Sequence, residues 1–137
     1  MKHCLSVARK MQDIVERNPE KYDISSEDAF LLGFLHDIGY EFAEDQKEHA
    51  KVGGLLLKRQ NYKYWQEIYY HGFAQKEYDT PELWLLNYVD MITSPTGDYI
   101  TVRQRIDDIA DRYGNDSWQI KESVDLSIML DANGYNI

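Results

Sequence analysis

Six residues of the types that bind metals constrain the fold of this 137-residue chain more than any other feature. They are spread over its first 90 positions. All four histidines precede residue 72, one of them stands directly before an aspartate, and a further aspartate follows in a later apolar segment. Imidazole nitrogens and carboxylate oxygens suit divalent transition metals. Ligands so far apart in sequence can meet only if the segments that carry them pack around one site. The six candidates are His3, His36, Asp37, His49, His71 and Asp90.

Hydrophobic periodicity predicts that these segments are α-helices, and no strand-like alternation competes with that interpretation. A helix that is apolar nearly all round, as in a helix buried at the centre of a fold, follows the N-cap candidates Ser25 and Ser26, and Gly39 is placed to end it. The other predicted helices span about residues 2–17, 46–59, 62–71, 80–94, 101–113 and 117–130. We therefore predict an all-α bundle of six to seven helices. It forms one domain over residues 1–137, with a motif-bearing core at about 3–94 and C-terminal helices at about 101–131 that cover the core.

The candidate ligands are expected to face the interior, because each falls on the apolar face of its helix. A carboxylate removed from water without a partner is costly, and a metal ion would satisfy Asp90 in such a place. Asp37 ends an apolar helix beside His36 and could use its two oxygens to bridge two metals. Gly53, one turn after His49, could let another segment come close to that histidine.

The composition excludes several classes of partner. A formal net charge of -9 and a pI near 4.8 oppose binding to nucleic-acid polymers, which rests on clustered basic residues. Cys4 is the only cysteine, no apolar run approaches the roughly 20 residues that cross a bilayer, and no signal peptide is visible. We therefore expect a cytoplasmic protein without membrane contact. A homodimer is left open.

The order of these ligands resembles the HD-domain superfamily, which is named for the adjacent pair and known largely as metal-dependent phosphohydrolases. Three segments resemble the subgroup with two extra histidines, which holds two metals: Leu35-His36-Asp37-Ile38-Gly39, His49-Ala50-Lys51-Val52-Gly53 and Tyr70-His71-Gly72. The resemblance implies one metal on His3, His36, Asp37 and Asp90. It implies a second metal on His49, His71 and the bridging Asp37.

The implied cofactors are two divalent transition metals, with iron or manganese as first choice and zinc, cobalt, nickel or magnesium left open. Such metals lower the pKa of bound water toward about 7 and so provide hydroxide as a nucleophile. Asp37, as the bridge that orients this hydroxide, is the predicted catalytic residue. Counting formal charges, the dinuclear site would keep about +1 and attract phosphate despite the acidic chain.

We therefore predict a phosphohydrolase that acts on a nucleotide or another small phosphate ester. Arg103 and Arg105 follow the last ligand helix and are candidates for bidentate contacts to phosphate. The alternative is that they pair with surface acids such as Asp107.

The ligand pattern is also consistent with two other functions. The same six-ligand arrangement resembles that of di-iron oxygenases, which act on polyols or phosphonates. The third interpretation is a noncatalytic metal-binding module. Aromatic residues concentrate before His71, where they could stack a nucleobase, line a pocket, form a subunit interface or pack in the core. They are Tyr62, Tyr64, Trp65, Tyr69 and Tyr70.

Overall fold

A computed structural model describes residues 2–135, apart from the side chain of Gln46. Within that range the regular structure is helical, with seven α-helices, two short 3₁₀ turns (Ile38–Glu41 and Gln46–Glu48) and a single isolated bridge between Thr93 and Tyr99. The predicted all-α fold is confirmed. The helices are α1 (Lys2–Arg17), α2 (Ser26–Leu35), α3 (His49–Arg59), α4 (Trp65–Tyr70), α5 (Pro81–Met91), α6 (Val102–Tyr113) and α7 (Trp118–Ala132).

Hydroxyl side chains set the start of four helices. Ser25, Thr80, Thr101 and Ser117 each precede a helix and accept a hydrogen bond from a backbone N–H in its first turn. At α6 the cap is reciprocal, because the side chain of Gln104 accepts in turn from the backbone N–H of Thr101. These caps explain why the predicted starts of α2, α5, α6 and α7 agree closely with the structure.

Two expectations about α2 are wrong. The helix ends at Leu35, so Gly39 does not end it and instead lies within the following 3₁₀ turn. The helix is also not buried all round, since Leu31 and Phe34 are 42% and 37% exposed while Leu32 is fully buried. An apolar composition gave no information about which face would pack, and packing against α1 covers only one of them.

The 3₁₀ turn after α2 crosses the start of α3 at a point where both segments have glycine. A Cβ atom on Gly39 would lie 1.7 Å from the backbone oxygen of His49, and one on Gly53 would lie 2.9 Å from the backbone nitrogen of Gly39. No side chain fits at such distances, so both positions depend on glycine for the approach of the two backbones. As predicted, Gly53 allows another segment to approach His49, and that segment follows directly on Asp37.

Helix α5 lies at the centre of the fold and joins two apolar clusters. Leu85, Leu86 and Val89 of this helix belong to the larger cluster, which α1 to α4 complete. Its Trp84 and Met91 belong to a smaller cluster with residues of α6 and α7. Among residues 2–135, no helix combines the length and apolar character needed to cross a bilayer.

Candidate metal centre

The six predicted ligands come together in two groups that share one residue. Donor atoms of His3, His36, Asp37 and Asp90 all lie within 4.8 Å of one another. The same limit holds for a second group of Asp37, His49 and His71. The fold therefore brings residues from α1, α2, α3, α4 and α5, or from the turns that follow them, to one place.

The carboxylate of Asp37 divides its two oxygens between the groups. Its Oδ2 lies 3.1 Å from Nε2 of His36 and 3.6 Å from Nε2 of His3. Its Oδ1 lies 3.4 Å from Nε2 of both His49 and His71. This is the arrangement that a carboxylate bridging two ions requires.

Backbone carbonyls fix the tautomer of three histidines. Nδ1 of His36 donates to the carbonyl of Gly33 at 2.6 Å, and Nδ1 of His71 donates to the carbonyl of Ile68 at 2.5 Å. Nδ1 of His3 donates to the Ser94 carbonyl at 3.0 Å. A carbonyl can only accept, so each Nδ1 carries the hydrogen and, in the neutral ring, leaves the Nε2 lone pair available to a metal.

The donor atoms fit divalent metals by spacing as well as by type. Two ligands about 2.1 Å from one ion, at tetrahedral or octahedral angles, are about 3.0–3.4 Å apart. The separations between Nε2 atoms and carboxylate oxygens run from 2.8 Å, between His3 and Asp90, to 3.6 Å, between His3 and Asp37. In addition, Nε2 of His71 is buried and has no hydrogen-bond partner among the described residues. A buried polar atom without a partner needs an explanation, and coordination of an ion would supply one here.

The carboxylates and imidazoles shift one another's pKa values. Burial by itself lowers the pKa of His36, but the charges of Asp37 and Asp90 overcome it and raise the pKa well above its ordinary value. Burial likewise opposes the charged form of both aspartates, yet the charge of His36 and hydrogen bonds from the imidazoles hold their pKa values well below the ordinary one. The pocket therefore favours ionised carboxylates facing positive charge, which a divalent cation can supply in place of imidazole protons.

A loop after α5 holds the first turns of α1, and with them His3. The carbonyl of Ser94 accepts from His3, the hydroxyl of Ser6 donates to the carbonyl of Gly97 at 2.7 Å, and the hydroxyl of Tyr99 donates to the carbonyl of Ser6 at 2.8 Å. A Cβ atom on Gly97 would lie 2.9 Å from the backbone oxygen of Lys2, so the loop also depends on a glycine. These contacts attach the first ligand to the same helix and loop that position Asp90.

Two adjoining clefts open onto the ligands. One, of about 260 Å³, is lined by His3, Asp37 and Tyr40 together with residues of α6. The other, of about 150 Å³, is lined by His49 and by residues of α6 and α7. Arg105 and Tyr40 line both. The C-terminal helices, which we expected to cover the core, therefore also form the wall opposite the ligands.

The two candidate arginines lie in different places. Arg105 is half-buried in the cleft wall, where its Nη1 donates to the carbonyl of Thr93 at 2.6 Å, while Arg103 is exposed and outside both clefts. Arg112 was not among the candidates from the sequence, yet it lines the larger cleft and pairs with Asp108 at 3.3 Å. Helical spacing gave a signal, since residues 105, 108, 109 and 112 share one face of α6.

Tyr40 is a second cleft residue that was not among the candidates from the sequence. Its ring stacks on His49 with 4.0 Å between centroids and 10° between planes, and it remains 47% exposed. Burial, followed by the charges of Asp37 and Asp90, raises the pKa of its hydroxyl, so the phenol keeps its proton. Tyr40 lies in a short 3₁₀ turn, where no hydrophobic period marks which side chains face a cleft.

The aromatic residues before His71 lie in two different environments. Tyr64 is in the core, and Tyr62 and Trp65 pack against it, as the core-packing interpretation predicted. Tyr69 and Tyr70 instead line a cavity of about 290 Å³ beside the start of α3.

The family model of the HD domain matches residues 1–116, which include all six ligands and the whole of α6. The chain belongs to the HD-domain family. Comparisons with curated proteins and with solved structures gave no significant match. HD domains bind divalent metals and are mostly metal-dependent hydrolases, so the two donor groups of this HD domain are compatible with the chemistry of the family. Helix α7, which completes the cleft wall, lies beyond the matched residues.

Proposed function

We propose that this HD domain is a phosphohydrolase that acts on a nucleotide or another small phosphate ester. The observation that supports it most directly is the carboxylate of Asp37, whose two oxygens face two groups of metal donors. His3, His36, Asp37 and Asp90 would hold one divalent metal, and Asp37, His49 and His71 would hold the second. When bound, such a metal pair supplies a Lewis acid for the phosphoryl oxygens and an activated water.

The cleft wall supplies the positive charge that a phosphate ester needs outside the metals. Arg105 and Arg112 line the cleft that opens onto His3 and Asp37. Arg112 pairs there with Asp108, which leaves the guanidinium of Arg105 to bind phosphate oxygens through paired N–H groups. Nη1 of Arg105 is already fixed by the Thr93 carbonyl, so the group is positioned before a substrate arrives. Arg105 is therefore the substrate-binding residue of the proposal, and Arg103, outside the cleft, is not.

The two metal groups differ in the number of protein donors. The first has four residues, whereas the second has three, one of which it shares. A site with fewer protein ligands keeps coordination positions open for water or substrate. We therefore assign the phosphoryl group to the side of the centre that His49 and His71 hold, within reach of the cleft that Arg105 lines.

Phosphate release by protein loaded with Mn²⁺ or Fe²⁺ tests this function. We expect hydrolysis of nucleoside monophosphates or simple phosphate esters, abolished in Asp37→Ala and kept in Asp13→Ala. Asp13 is a partly exposed aspartate of α1 that pairs with Arg17. If metal-loaded protein released no phosphate from a broad panel, the proposal would be wrong. Oxygen uptake with a polyol or phosphonate would favour the oxygenase alternative, whereas turnover with Mn²⁺ under anaerobic conditions would exclude it.

A further inference from the structure

We infer that the cavity between α3, the segment after His71 and α7 is a binding site for the planar base of a nucleotide substrate. This inference rests on the proposed phosphohydrolase function and names its substrate class. The cavity measures about 290 Å³, near the lower end of the range for small-molecule sites. Its principal lining residues are Lys47, Lys51, Tyr69, Tyr70, Phe73 and Glu122.

The cavity adjoins the metal centre through shared residues. Glu122 lines both the cavity and the cleft that contains His49. Glu48, another lining residue, directly precedes His49 in the chain, and Phe73 follows two residues after His71. A ligand in the cavity therefore has a path to the second group of metal donors along the first turns of α7.

The aromatic residues of the cavity are held by their neighbours. Gly54 lets α4 approach α3 so closely that a Cβ atom there would lie 2.5 Å from Cβ of Tyr69. Tyr70 is backed by Tyr78, with 5.2 Å between ring centroids and 13° between planes. The ring of Phe73 is parallel to that of Trp118 within 9°. Aromatic surfaces fixed in this way can stack with a base. Such stacking accepts any of the bases, because each of them has a π-face.

The charges of the cavity favour a base over a phosphate. Glu48, Glu77 and Glu122 place three carboxylates around it, against two ammonium groups from Lys47 and Lys51. A phosphate would meet net repulsion there. The edges of a base carry both hydrogen-bond donors and acceptors. The donors can bind the carboxylates, and the acceptors can bind the ammonium groups. The guanidinium groups of Arg105 and Arg112 line the cleft near His3 and Asp37, together with the carboxylate of Asp108, whereas the cavity has lysines and glutamates. The groups suited to a phosphate therefore lie at the metal centre, and those suited to a base lie in the cavity.

Binding of adenosine, which has a base but no phosphate, tests the inference without relying on hydrolysis. Equilibrium dialysis should show adenosine bound to the unmodified protein and to Phe34→Leu, an exposed phenylalanine on α2 that serves as the matched control. We expect Phe73→Leu to weaken that binding by about tenfold, because it removes one stacking surface. Absence of adenosine binding, or equal binding by the two variants, would overturn the inference.

Hydrolysis assays with the metal-loaded protein distinguish a failure of the base site from a failure of the phosphohydrolase function. Phe73→Leu should raise KM for adenosine monophosphate about tenfold and leave KM for glycerol phosphate unchanged. If both esters are hydrolysed and Phe73→Leu affects neither, the base site is wrong while the phosphohydrolase stands. If neither ester is hydrolysed but adenosine binds in a manner that depends on Phe73, the base site stands and the phosphohydrolase is wrong.

Discussion

The side-chain oxygen of Asn87 accepts a hydrogen bond of 2.8 Å from the backbone N–H of Gly72. Asn87 is fully buried on α5, one turn before Asp90, and Gly72 directly follows His71 with a φ of +85°. This bond therefore links the helix that positions a ligand of one metal group to the turn that positions a ligand of the other.

Loss of that link should affect metal binding as well as stability. We expect Asn87→Leu to lower the free energy of unfolding by about 1–3 kcal/mol, because the N–H of Gly72 is left without its partner. Metal content should fall toward about one ion per chain, since His71 loses its support. Val102→Ala, a buried change in the second apolar cluster, is the control and should lower stability without loss of metal. Equal metal content in both variants would show that Asn87 does not position His71.

Single-ligand variants should reveal the shared carboxylate through metal stoichiometry. We expect about two metals per chain in the unmodified protein, about one in His49→Ala and less than one in Asp37→Ala, because Asp37 belongs to both donor groups and His49 to one. Elemental analysis of protein reconstituted with Mn²⁺ measures this directly. Asp13→Asn controls for loss of an aspartate elsewhere. As much metal in Asp37→Ala as in His49→Ala would mean that the two groups do not share this ligand.

Substitution of Arg105 and of Arg103 should distinguish a cleft residue that binds phosphate from a surface residue that does not. Arg105→Lys keeps the charge but loses the planar pair of N–H groups, so we expect KM for a phosphate ester to rise about tenfold or more. Arg103→Lys changes an exposed residue outside both clefts and should leave kcat and KM unaltered. Thermal melts of both variants would show whether loss of the bond to Thr93 destabilises the fold. Equal kinetics in the two variants would remove Arg105 from the proposed site.

The crossing at Gly39 should not tolerate a side chain. In Gly39→Ala the new methyl group would meet the backbone oxygen of His49, which cannot move without displacing the start of α3. We expect a loss of about 3 kcal/mol or more in the free energy of unfolding, measured with urea. Gly114→Ala is the control, because its φ of +90° imposes strain but no atom lies within 4 Å of the new Cβ. A smaller loss at Gly39 than at Gly114 would contradict the close crossing.

A buried acid on α5 should make stability depend on pH. Burial, followed by the charges of Glu67 and Asp23, raises the pKa of the Glu82 carboxyl. A raised pKa in the folded state means that the ionised form costs stability, and this cost appears as pH rises above the ordinary value of about 4.3. Glu82→Gln should therefore gain thermal stability over the unmodified protein at pH 7 but not at pH 4. The exposed Glu27→Gln, also in a first helical turn, should show no such gain.

The helices and the convergence of the six ligands could be predicted from the sequence, because both depend on local patterns of apolar and polar residues. An ionisable residue on an apolar helical face, such as Asp90, needs a partner, and several such residues in one chain can be each other's partners. Caps such as Thr80 likewise act within one turn, so their effect can be read from neighbouring residues.

The cleft could not be predicted in the same way, because it depends on contacts between segments distant in sequence. Arg105 and Arg103 are two positions apart on one helix. Only the packing of α6 against α7, together with the bond from Arg105 to the Thr93 carbonyl, determines which of them faces the ligands. The exposure of Phe34 has the same cause, since nothing in α2 itself indicates which face α1 will cover. Tyr40 lies in a turn whose direction is set by the contact between Gly39 and Gly53.

The division of one carboxylate between two donor groups also means that two metals held there would be thermodynamically linked. An ion bound beside His36 would fix the orientation of Asp37 and so order an oxygen for an ion beside His49, while its charge would oppose that second ion. The balance of these effects is a single coupling free energy, which must be the same whichever ion binds first. A change that alters the affinity of one site through Asp37 will therefore alter the loading of the other.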